Sequence, residues 1–150
     1  MRKIVCFVLV VLMICGVMPV NCFAVEKDSE TIYFDDGSYM TIELYQSKER
    51  ASGNVTGSKT NTYYGSSGDT QWKATLTGSF TYTGTGATCT SSSADVAIYS
   101  SGWSIYSKYA SKSGNSAKAS ITMIKKLAGV TVSNIPFDMT LTCDANGNLS

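Results

Sequence analysis

Gln71-Trp72-Lys73-Ala74-Thr75-Leu76-Thr77-Gly78-Ser79-Phe80-Thr81-Tyr82-Thr83 decides the fold of this chain. Its even positions read Trp, Ala, Leu, Gly, Phe, Tyr, and its odd positions read Gln, Lys, Thr, Thr, Ser, Thr, Thr. A period of two puts the apolar side chains on one face of a strand and the polar ones on the other. A helix would scatter them around its circumference. The stretch is a core strand with a wet outer face, and Gly78 at its centre predicts a bend or bulge.

Working outward, the same alternation recurs. Thr31 to Phe34 and Tyr39 to Tyr45 are short β-prone runs joined by Asp35-Asp36-Gly37-Ser38, a hairpin signal because glycine supplies the positive φ of the turn. Val25 to Glu30 is charged and reads as fraying. Gln46 to Ser58 reads as a loop or ragged edge strand. Beyond the central strand, Ala87 and Cys89 share a face, and a strand follows near Asp95 to Tyr99. Trp103, Ile105 and Tyr109 share a parity. Ala117, Ala119, Ile121 and Met123 alternate with Lys118, Ser120 and Thr122 between the turn signals Ser113-Gly114-Asn115 and Ala128-Gly129. Val130 and Val132 begin a further strand, and the last carries Phe137, Met139, Leu141 and Cys143 inward. Seven to nine short strands spaced by turns, without a helical pattern beyond the leader, predict an all-β fold. The preferred form is an antiparallel, immunoglobulin-like β-sandwich, with a small β-barrel as the alternative.

The leader itself is informative. Arg2 and Lys3 precede an apolar run from Ile4 to Val20, and Asn21-Cys22-Phe23-Ala24 follows. Charge, apolar run and small residues before a cut describe a secretory signal helix over residues 1–24, cleaved after Ala24. A retained anchor is the competing reading, but the run is at the short limit for crossing a bilayer and ends in Met18-Pro19. Lipidation needs a small residue before the acylated cysteine, whereas Asn21 precedes Cys22 and Ile14 precedes Cys15. The expected product is one secreted or envelope-associated domain, Val25 to Ser150, with no stable membrane span.

The chain has 150 residues and a formal net charge of +1. Without Arg2 and Lys3 its acids and bases nearly balance, which gives no electrostatic footprint for nucleic acid. Histidine is absent, removing the usual general base and the commonest metal ligand. Of five cysteines, Cys6, Cys15 and Cys22 lie in the leader, leaving Cys89 and Cys143. Outside the cytoplasm that pair has one intramolecular partner each, and a disulfide closing a loop of roughly fifty residues adds roughly 4 kcal/mol in the chain-entropy model.

Several segments carry a resemblance: Tyr63-Tyr64-Gly65, Trp72, Gly78 to Gly84, Ala87-Thr88-Cys89-Thr90, Trp103, Ser111-Lys112-Ser113-Gly114 and Leu141 to Ser150. Together they resemble a group of small exported proteins of unknown function from Gram-positive, largely gut-dwelling clostridia, from about Asn54 to the C-terminus. The resemblance implies a bacterial exported protein with the two mature cysteines bridged. That group has no assigned activity and so lends no catalytic or binding residue.

Chemistry-bearing residues are few. Asp35, Asp36 and Asp69 sit in turn-like contexts, where aspartate caps chains. Glu43 and Asp138 fall on polar parities, and nothing brings these or Asp95 into a catalytic pair. Serines and threonines abound without a base or a nucleophile motif. Asp144-Ala145-Asn146-Gly147-Asn148 is similar to the front of a calcium loop, but lacks the remaining oxygen ligands. Neither a metal nor a cofactor is expected. Tyrosine is the functional signal: Tyr39, Tyr45, Tyr63, Tyr64 and Tyr106 form the candidate binding surface, with Tyr63 and Tyr64 pointing to opposite faces. Exposed tyrosines stack on sugars or anchor a protein partner. The expected function is non-enzymatic binding of a glycan or an envelope protein. A self-associating matrix component, or a small carboxylate-dependent hydrolase, is the alternative.

Overall fold

The computed structural model describes residues 26–48 and 53–150. The expected signal helix and its expected cleavage site lie outside them. The described chain is all-β, with β1 (Glu26–Tyr33), β2 (Tyr39–Lys48), β3 (Asn54–Tyr64), β4 (Thr70–Tyr82), β5 (Ala87–Ile98), β6 (Trp103–Ser113), β7 (Ser116–Leu127) and β8 (Val130–Thr142). β1 to β5 form one antiparallel sheet in sequence order, and β6 to β8 form a second. The layers are those of the expected sandwich, not of a closed barrel. Each sheet is a meander, and the chain changes sheet once, between β5 and β6.

β4 behaves as its alternation predicts: Trp72, Ala74, Leu76 and Phe80 are buried, with threonines on the opposite face. They meet Ala117, Ala119, Ile121 and Met123 of β7 and Met139 and Leu141 of β8 in one core. Gly78 is needed at the closest approach of the sheets. A Cβ there would meet the Phe80 ring at 2.8 Å and Ala117 Cβ at 2.9 Å.

The N-terminal strands are longer than the sequence suggests. Glu26 to Glu30, expected to fray, completes β1 against Gln46 to Ile42. The stretch expected as a loop supplies the end of β2 and the start of β3, an interior strand between β2 and β4. The segments around Val130 and Phe137 are one strand. Tyr109 and Ile105, expected to face inward with Trp103, are both exposed. The register of β6 on β7 slips between Ile105 and Ser107, leaving Tyr106 as a bulge residue that reverses the parity beyond it.

Cys89 and Cys143 flank one turn. The Cys89 N–H donates to Gly114 O at 2.8 Å, and the Cys143 N–H to Asn115 O at 3.0 Å. Both side chains are buried, and no disulfide joins them here. Each Sγ points to a carbonyl of its own segment: Cys89 to Ser91 O at 3.2 Å, Cys143 to Asp144 O at 3.4 Å. Burial pushes the Cys89 thiol above its ordinary pKa, with Lys112 partly opposing.

Gly78→Val should lower stability by about 1–3 kcal/mol through overpacking. Gly86→Ala, where a Cβ meets nothing within 4 Å, should stay within about 1 kcal/mol of the parent. Urea denaturation of the two variants checks the contrast.

Candidate functional site

The antiparallel order sends four turns to one end of the sandwich: β1–β2, β3–β4, β5–β6 and β7–β8. A cleft of about 350 Å³ opens there, lined by Asp36 and Ser38 from the first turn and Gly65 to Ser67 from the second. Gln71, Trp103, Lys125, Val132 and Ser133 complete the wall, with Tyr63 in the floor.

The floor is an aromatic cluster. Tyr63 stacks on Trp72 (centroids 5.2 Å apart, 13° between planes), and Trp72 stacks on Phe137 across the sheet interface (5.2 Å, 9°). Trp103 meets Tyr63 and Trp72 edge-on, at 5.5 Å and 6.1 Å. Lys125 Nζ lies 5.8 Å from the Trp103 ring centroid, within cation–π reach.

Polar groups are fixed above this floor. The Tyr63 hydroxyl donates to Ser38 Oγ at 2.9 Å, and Ser38 donates to Asp36 Oδ1 from Oγ (2.5 Å) and from its backbone N–H (3.0 Å). These bonds from Ser38 hold the Asp36 carboxyl below the ordinary carboxylate range. An acid stabilised as its anion is a weak proton acceptor. Trp103 Nε1 donates to Gln71 Oε1 at 3.2 Å. Gln71 is aimed into the cleft by a bulge: Tyr63 pairs with Trp72 but Tyr64 with Thr70, leaving Gln71 between them. Its carbonyl accepts the N–H groups of Tyr99 and Ser100, which ties the β5–β6 loop to the cleft wall.

The five expected tyrosines do not share one surface. Tyr63 is buried in the cleft floor. Tyr39 and Tyr64 stand on the outer face of the larger sheet, in register with Tyr33. Tyr39 stacks on Tyr64 at 4.6 Å and 12° and meets Tyr33 at a tilt, at 5.8 Å and 38°. Tyr45 is at the other end of β2 and donates to Glu43 Oε2 at 2.9 Å. Tyr106 is exposed on the smaller sheet. Trp72 and Trp103 are buried, as their parity predicts.

The remaining candidates are occupied structurally. Asp69 accepts from Ser67 Oγ at 2.8 Å, and Asp95 lies 3.8 Å from Lys108 Nζ. Asp144 Oδ1 accepts the N–H groups of Asn146 and Asn148 at 2.8 Å each, and its other oxygen takes Asn148 Nδ2. That carboxylate closes its own turn, and the bonds from Asn148 hold its pKa down. Among the described residues, no group of three or more His, Cys, Asp or Glu is placed to hold a metal ion.

Sequence reading missed Ser38, Gln71 and Lys125. The available signal for Ser38 was its place two residues after Asp36, an Asx-turn spacing. Comparison with protein-family models, with curated proteins and with solved structures found no match to this chain.

Asp36, with its pKa lowered, contributes stability above its ordinary pKa of 3.8 and loses it as pH falls through the folded value. Asp36→Ala should therefore be less stable than the parent at neutral pH, with the gap closing below about pH 3.8. Urea midpoints measured down the acid range read this directly.

Proposed function

We propose that this is an exported, non-enzymatic binding module whose cleft holds a glycan. The observation that carries the reading is the set of fixed polar groups over an aromatic floor: a carboxylate at Asp36, an amide at Gln71, an ammonium at Lys125 and hydroxyls at Ser66 and Ser67. Donors and acceptors spaced around an apolar floor suit a polyhydroxylated ligand, which needs both kinds of partner and offers C–H faces to rings. Near-balanced charge suits a neutral or weakly charged sugar better than a phosphorylated one. The lowered pKa of Asp36 and its bonds to Ser38 favour a binding role over acid–base chemistry. The resemblance to small exported clostridial proteins and the leader favour a bacterial surface or the medium as the place of action.

The test is retention of the full chain on peptidoglycan, mucin and insoluble polysaccharides. Lys125→Ala and Asp36→Ala should each cut retention about tenfold, the loss of one strong polar contact. Tyr64→Ala should leave it unchanged, because that ring lies outside the cleft. Loss with Tyr64→Ala alone would transfer the site to the tyrosine row, and no retention on any glycan would remove the reading.

Export also bears on Cys89 and Cys143, held at the two sides of the β6–β7 turn. In an oxidising compartment this pair becomes the domain's cross-link. Protein purified from the medium should then show no reactive thiol in denaturant, and Cys89→Ser or Cys143→Ser should lower Tm. Two titratable thiols per chain would mean that the pair stays reduced.

A further inference from the structure

We propose that the β7–β8 hairpin tip is an interfacial prong that docks the protein onto an anionic lipid bilayer. The tip is Leu127-Ala128-Gly129-Val130, and Leu127, Val130 and the nearby Val132 are exposed by 69%, 66% and 55%. No other turn of the described chain exposes three aliphatic side chains.

The turn chemistry is unusual in a way that favours function. Ala128 has φ 49° and Gly129 φ 83°. Two consecutive positive φ values are the requirement of a two-residue hairpin turn, where Asn-Gly or Asp-Gly is preferred. Ala128 is the one non-glycine residue with positive φ among the described residues. Asparagine would relieve the backbone but would put an amide at the apex. Alanine accepts the strained conformation and leaves an uninterrupted apolar tip. A local rule broken at an exposed position, where packing does not demand it, points to a use for the tip itself.

The tip also projects. Trp103 of β6 pairs with Lys125 and Gly102 O accepts the Lys126 N–H, so Leu127 and the turn extend past the neighbouring chain by roughly 3.4 Å, one strand residue. A bulge at Val132, where Lys125 pairs with Ser133 and Lys126 with Thr131, turns that side chain outward beside the tip. A prong of this size is far below the roughly 800 Å² per partner of a stable protein interface. A bilayer places no such demand on area or shape.

Charge selects the bilayer. Lys125 and Lys126 sit at the base of the prong, where ammonium groups would meet lipid phosphates as the aliphatic tip enters the acyl boundary. The β5–β6 loop lies beside Lys126, whose N–H donates to Gly102 O at 2.8 Å. Asp35, Asp36 and Asp69 of the same end belong to turns of the larger sheet, so the approach is by the corner of the smaller sheet.

The proposal does not depend on the glycan reading. The test is co-sedimentation of the full chain with vesicles of phosphatidylglycerol and phosphatidylcholine at equal molar ratio, and with vesicles of phosphatidylcholine alone. The parent is compared with Leu127→Ser/Val130→Ser and with Lys126→Glu. The leader is common to all of these, so the difference between variants is what counts. The parent should bind the anionic vesicles with salt-sensitive affinity, and each variant should bind about tenfold more weakly with an unchanged circular dichroism melting curve. Failure of the parent to bind anionic vesicles, equal binding to both vesicle types, or equal binding by parent and variants overturns the proposal.

Discussion

The stack Tyr63–Trp72–Phe137 is the contact on which the rest of the structure depends. It runs through both sheets, and Trp103 closes it edge-on from the second sheet. Trp72 is fully buried, yet its indole N–H has no hydrogen-bond partner among the described residues. Leaving such a donor unpaired costs about 1–3 kcal/mol. Burying a ring of this size returns about 4–6 kcal/mol at the usual area coefficient, and each stacked pair adds about 0.5–1.5 kcal/mol. The stack therefore fixes the position of the indole despite its unpaired nitrogen. The cleft inherits its rigidity, because its floor is the solvent end of that stack.

Bulges convert this regular meander into one with a shaped end. Gln71, Thr90, Tyr106 and Val132 are each the extra residue at a register slip. Two of them, Gln71 and Val132, line the cleft. The other two adjust the strands that switch between sheets. Thr90 Oγ1 donates to Ser79 O at 3.0 Å, which satisfies an acceptor at the slip. The open edges are treated differently. β8 carries Pro136, the Lys59 ammonium donates to Thr140 O at 3.4 Å, and Thr142 exchanges backbone bonds with Ser150. All three block the pairing of a further strand on that side.

These features also explain how much was legible beforehand. β4 could be read residue by residue, because its inward row runs from Trp72 to Phe80 with no inserted residue. β7 was legible for the same reason. β5 and β6 were not, because a bulge reverses parity within each: Cys89 and Ala94 both point inward, and Tyr109 departs from the face of Trp103. Alternation cannot register an extra residue without knowing the partner strand. β1 was under-read because an edge strand can be charged and still pair through its backbone. The cleft was invisible for a topological reason. Its residues come from two turns and five strands, and only the antiparallel order of two sheets brings Asp36, Gln71 and Lys125 together. Of the five tyrosines, Tyr39, Tyr63 and Tyr64 lie at the cleft end. Tyrosine enrichment could not tell a buried ring from one stacked on its neighbours.

The two ends of the sandwich are built to opposite purposes. At the far end the C-terminal turn is drawn into the core. Leu149 is buried and bridges to Cys143, and its side chain fills the space that the absent Cβ of Gly57 leaves open. The buried amide of Gln46 binds this turn from both sides, donating to Gly147 O at 2.9 Å and accepting the Leu149 N–H at 3.0 Å. Asp144 ties the turn to itself. The side chains of Gln46, Asp144 and Asn148 all bond within that closure. At the near end the hydroxyls of Ser66 and Ser67, the Lys125 ammonium and the apolar hairpin tip face outward around a cleft whose floor is rigid. A domain braced at one end and chemically open at the other suits the proposed binding role, because a fixed scaffold lowers the ordering cost of binding.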